Sequence, residues 1–138
     1  MFEKDGNMQV TQDADGTIRI VEKSMPQDLL NVKIGHISFD DEQKRGGGMF
    51  TPPLVLGFIV SASEVQSFMK DHNIGRQPRL INQVVNPSTV VSGELNNVTL
   101  SQALDYTQKT MRGLWVYKEC PGDKKNKRIV DFSFFQYW

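Results

Sequence analysis

Residues 90–119 read VVSGELNNVTLSQALDYTQKTMRGLWVYKE, and residues 128–135 read RIVDFSFF. Together they predict strand, turn, capped helix, strand, loop, strand. Val90, Val91 and Gly93-Glu94-Leu95 carry the first strand signal. The Asn96-Asn97 pair should end it, because asparagine tolerates left-handed turn geometry. Thr99 precedes an apolar-periodic run and Gln102 follows three residues later, the spacing of a capping box. Leu100, Ala103, Leu104, Thr107 and Met111 recur at helical spacing, so one face should bury. Gly113 stands where a helix would close in a left-handed residue. Leu114-Trp115-Val116-Tyr117 and Ile129 to Phe134 are rich in branched and aromatic residues, as half-buried strands are. A polar loop, 121–127, joins them as a hairpin.

Upstream, Met8 to Thr11 and Thr17 to Val21 flank Asp13-Ala14-Asp15-Gly16, a hairpin with an Asp-Gly turn. This defines an N-terminal β-hairpin arm, 1–24, ahead of a domain spanning 25–138. A two-stranded hairpin is marginal alone in water, so the arm must dock on the main domain, pair with a partner or stay floppy. Leu30 to Phe39 reads as a strand whose alternation slips at Gly35-His36, which predicts a bulge. The loop 40–48 is charged and ends in three glycines. Pro52-Pro53 should halt a helix and force an extended entry. Leu54 to Val60 is then a buried strand or the lead into a helix. Ser61 with Glu64, or Ser63 with Gln66, offers a second capping box for a helix over 62–73. Leu80 to Val85 reads as another strand. The expected fold is α+β: a small mixed sheet with two helices packed on one face, plus the arm.

At 138 residues, 38% hydrophobic and 23% charged, the chain fits one globular domain. Sixteen basic residues balance sixteen acidic ones, so nothing global favours nucleic acid. No apolar run approaches the roughly 20 residues that cross a bilayer, so no transmembrane segment is expected. Cys120 is the only cysteine, which excludes an internal disulfide.

The run from Asn86-Pro87-Ser88 through Val90-Val91-Ser92-Gly93-Glu94-Leu95-Asn96-Asn97-Val98-Thr99-Leu100 to Ala103-Leu104, followed by Gly113, Leu114 to Tyr117 and Ile129-Val130, resembles the secretin and TonB short N-terminal (STN) domain. The resemblance covers the C-terminal half to two-thirds of the chain. Asn86 stands where the family has an acidic residue, the last hairpin loop is longer, and residues 1–50 have no counterpart. It implies a βαββαββ sandwich, with its first helix on 61–73 and the strand after it on 79–85. It also implies a periplasmic or outer-membrane-associated setting, with a leader upstream that this sequence lacks, in secretin, receptor or small outer-membrane lipoprotein components.

Candidate chemistry is sparse. His36 and His72 are the only histidines. His72 continues an apolar helix face, and neither lies in a cluster with metal-ligand spacing. Asp40, Asp41 and Glu42 sit together in a charged loop with no pocket to split their pKa values. Gly46-Gly47-Gly48 is not followed by the Gly-Lys-Ser/Thr of a phosphate loop. Lys124 to Arg128 is a basic cluster in a hairpin turn. No catalytic residue, cofactor or metal is expected.

Surface for pairing remains. If Leu114, Val116, Phe132 and Phe134 face the helices, then Trp115, Tyr117, Phe135, Tyr137 and Trp138 form an aromatic set on the other face or edge, either a partner interface or a surface that the N-terminal hairpin covers. The expected function is a non-catalytic interaction or scaffold module of an envelope secretion, pilus or conjugation complex. Its partners would be protein subunits, self-association included. The alternative is a small soluble inhibitor or immunity-type protein that binds a partner enzyme.

Overall fold

A computed structural model describes residues 7–14, 16–40, 52–77 and 91–136. The fold is α+β with an N-terminal hairpin. The described residues form strands β1 (Met8–Gln12), β2 (Ile18–Glu22), β3 (Lys33–Ser38), β4 (Ile74–Arg76), β5 (Glu94–Thr99), β6 (Gly113–Pro121) and β7 (Arg128–Gln136). The helices are α1 (Pro52–Val60), α2 (Ser63–Asp71) and α3 (Leu100–Met111). Among the described residues the arm is the two-stranded sheet β1-β2, as expected, and the small mixed sheet expected from sequence is divided into β3-β5 and β4-β7-β6. Only the last is mixed, with β4 parallel and β6 antiparallel to β7. The strand expected over 80–85 lies outside the described residues.

α3 forms as its sequence dictates. Thr99 Oγ1 accepts the Gln102 N–H at 3.1 Å, and Gln102 Oε1 accepts the Thr99 N–H at 2.9 Å. Two further orphan donors at this helix start are taken by the strand entry: Leu100 N–H donates to the Val32 carbonyl and Ser101 N–H to that of Leu30. Leu100, Ala103, Leu104 and Thr107 are buried, so the periodic face packs inward.

Several local expectations are corrected. Pro52-Pro53 opens a helix instead of blocking one, because the first helical turn needs no donor from proline. α1 is apolar throughout, which fits a helix packed between α3 and β7 with Val55, Leu56, Ile59 and Val60 all buried. The capping box expected for 62–73 does not form. Ser61 Oγ donates to the Gly57 carbonyl at 2.6 Å and Gln66 Nε2 to that of Val60 at 2.8 Å, so these residues close α1. α2 starts without a side-chain cap, and Glu64 Oε1 accepts the Gly35 N–H at 3.3 Å.

The β3–β5 register is unbroken across Gly35, from Ile34↔Val98 to His36↔Asn96, so there is no extra residue and no bulge. Gly35 and Asn97 form no pair, and Asn97 takes φ 53° inside β5. That distortion lets Ile34 and Ile37 both reach the core. Asn96-Asn97 therefore bends the strand without ending it. The left-handed residue after α3 is Arg112 (φ 47°), not Gly113, and after α2 it is Asn73 (φ 53°). Gly113 is needed for space: a Cβ there would overlap the Phe134 ring and the Phe135 carbonyl.

Candidate interaction surfaces

Hairpin register decides which way the aromatic residues point. β6 and β7 pair Leu114↔Phe135, Trp115↔Phe134, Val116↔Ser133 and Tyr117↔Phe132. Directly opposed residues of an antiparallel pair share a face. Phe132 and Phe134 are core residues, so Trp115 and Tyr117 turn inward with them. Trp115 is half-buried, and its indole Nε1–H donates to Asp105 Oδ1 at 3.0 Å. Tyr117 is buried with its ring 5.1 Å from that of Phe132, and its hydroxyl donates to Glu119 Oε1 at 3.1 Å. Burial, with the Glu119 carboxylate adding to it, pushes the Tyr117 hydroxyl above the usual phenol range. These two aromatics therefore do not share a face with Phe135, contrary to the grouping expected from sequence. Tyr137 and Trp138 lie outside the described residues.

Phe135 does face outward, 52% exposed, beside Leu114 at 53%. Val116, Cys120 and Ile129, on the same face, are half-buried. The sequence assigns Leu114 to the core face; the register turns it outward instead. β6 is an edge strand of its sheet among the described residues, as is β4.

The arm carries a second apolar surface. Its register places Val10 opposite Ile20 and Gln12 opposite Ile18, with Arg19 and Val21 on the reverse face. Val10, Ile18 and Ile20 are 51%, 63% and 46% exposed. The reverse face meets the body. Arg19 pairs with Asp105, and its Nη1 donates to Ser101 Oγ at 3.3 Å. Within the arm, Arg19 Nε donates to Asp13 Oδ2 at 2.9 Å. The alternation in both arm strands could have revealed this two-faced hairpin.

The remaining polar groups have structural partners. Arg128 grips both oxygens of Asp28 at 2.8 Å, its Nε donates to Glu119 Oε1 at 2.7 Å, and Tyr117 shares that oxygen. The Arg128 hydrogen bond holds the Asp28 carboxyl below its ordinary range, against partial burial. This clasp ties the turn before β3 to the start of β7. His36 Nδ1 lies 2.8 Å from Asn96 Oδ1 across the β3–β5 ladder. His72 stacks on Phe68 with ring centroids 4.0 Å apart, its Nδ1 2.9 Å from the Phe68 carbonyl. Asp40 Oδ1 accepts the Gly93 N–H at 3.1 Å, while Asp41, Glu42 and the triple glycine lie outside the described residues. In the β6–β7 loop, Asp123 Oδ1 accepts the N–H groups of Lys125 and Asn126, which makes the basic cluster part of a formed turn. Among the described residues, no three His, Cys, Asp or Glu side chains gather to hold a metal ion, and no helix is long and apolar enough to cross a membrane. No family model, curated protein or solved structure matches the chain.

Proposed function

We propose that this chain is a non-catalytic protein-interaction module, a scaffold component of an envelope secretion, pilus or conjugation complex. The observation that carries the reading is exposed apolar surface on two separate elements. One is Leu114 with Phe135 beside an outer strand; the other is Val10, Ile18 and Ile20 on the arm. Grouped exposed apolar residues mark contact sites more often than scattered ones do, and an outer strand can add a strand from a partner. The envelope setting, periplasmic or outer-membrane-associated, draws on the STN-like run through Leu104. The helix α2 and the elements β5, α3, β6 and β7 support it, since they fall on the stretches where the resemblance implies helix, strand, helix, strand and strand; the strand it implies over 79–85 lies outside the described residues.

The test is paired capture from an envelope extract of the source cell, with the wild-type chain and L114S/F135S as baits. A stoichiometric protein subunit retained by wild type and lost by the variant is the expected result. Turnover of a small-molecule substrate by the wild-type chain would overturn the reading.

A further inference from the structure

We infer that the N-terminal hairpin is an exchangeable arm, and that its seat on α3 accepts the same hairpin from a second copy of this chain. Among the described residues, β1 and β2 form a sheet of their own, hydrogen-bonded to neither of the other sheets. The arm is tied to the body through Arg19, which pairs with Asp105 and reaches Ser101. Each half of this contact is also held from its own side. Asp13 aims the guanidinium from within the arm. Ser101 and Asp105 lie one turn apart on α3, and the Trp115 indole holds Asp105 Oδ1 in place from β6.

The chain between the arm and the buried Leu29 passes through 23–28, with Pro26 at its middle. An element joined by a short hinge, and seated on a site of this kind, makes the same contacts on its own body or on a neighbour's. That is the condition for domain swapping. A short tether gives the arm an effective concentration on the order of millimolar at its own seat. Exchange in the wild-type chain therefore grows in as copies are crowded toward that level, as they are within an assembly. The inference rests on the interaction reading above and narrows one partner to a second copy.

Charge reversal tests it with the full chain. In R19D, a carboxylate on the arm faces Asp105; in D105R, two guanidiniums face each other. Each variant opposes seating on its own body, whereas in a mixture each arm finds an opposite charge on the other chain. Light scattering should give the 15.7 kDa chain mass for either variant alone and twice that mass for the equimolar mixture. If circular dichroism shows that D105R does not fold, S101R replaces it and leaves the Asp105–Trp115 bond intact. A mixture that stays at the single-chain mass overturns arm exchange, as does doubling by either variant alone. Failure here leaves the capture experiment on Leu114 and Phe135 unaffected, so the two readings fail separately.

Discussion

The molecule contains two antiparallel hairpins of similar plan and opposite fate. β6–β7 pairs along nine residues per strand and lies under α1 and α3, with Tyr117, Val130, Phe132 and Phe134 buried. β1–β2 pairs along five, and three of its apolar residues, Val10, Ile18 and Ile20, face outward. Hydrogen-bonding ladders are alike in kind, so the ladder does not set the difference. A hairpin becomes part of a core when a helix covers its apolar face; without that cover it stays marginal. The arm turns a polar anchor, Arg19, toward its helix and leaves its apolar face uncovered. We read that inversion as the mark of an element meant for contact.

The comparison can be broken most severely at Phe134. Phe134→Ala should cost about 3–5 kcal/mol in denaturant unfolding, because the ring is fully packed. Ile18→Ala on the arm should fall within about 0.5 kcal/mol, and equal losses would refute the contrast. Gly113→Ala should cost about 1–3 kcal/mol by forcing the start of β6 off the Phe134 ring. Gly16→Ala meets no neighbour, only a φ of 91°, so it should loosen the arm turn while leaving global unfolding nearly unchanged. Thr99→Ala should remove about 1 kcal/mol by deleting one arm of the α3 capping box, with the loss visible in both denaturant midpoint and helical signal.

Acid sharpens the contrast by titrating the body's clasp. The Asp28 carboxyl is held below its ordinary value of 3.8, chiefly by Arg128. Its stabilisation is therefore present above that value and is lost as pH falls through it toward the depressed folded value. Asp28→Asn should flatten the stability slope in that acid window and change little near neutrality in slope. An unchanged slope would remove the clasp from the account. Arg19→Ala, like the other arm substitutions, has a small global effect. Unfolding should shift by less than about 0.5 kcal/mol, while amide exchange across Met8–Gln12 and Ile18–Glu22 accelerates toward the unprotected rate. Retained protection in the arm would mean that Arg19 is not what seats it.

The parts legible in sequence were those with local causes. The Thr99–Gln102 box, the buried stripe of α3 and both hairpins follow from neighbours within a few residues. The caps on α1 were not legible, since Ser61 and Gln66 fit a box that opens a helix as well as bonds that close the preceding one. Only the continuation of helix from Pro52 to Val60 selects the second arrangement. The candidate surface was partly legible. Alternation placed Leu114 and Val116 opposite Trp115 and Tyr117, but either set could have faced the core.

Composition and periodicity by themselves determined an α+β chain, its arm, its capped helix and the two-faced character of each strand. Tertiary structure alone decided which face is buried. The pairing of Trp115 with Phe134 is set by where the β6–β7 loop closes, and a slip of one residue would exchange the two faces throughout β6. Likewise, the arm's outward Ile18 and Ile20 depend on Arg19 finding Asp105, a residue 86 positions away. Local sequence encodes the period of a strand; its phase belongs to long-range contacts that bury one side.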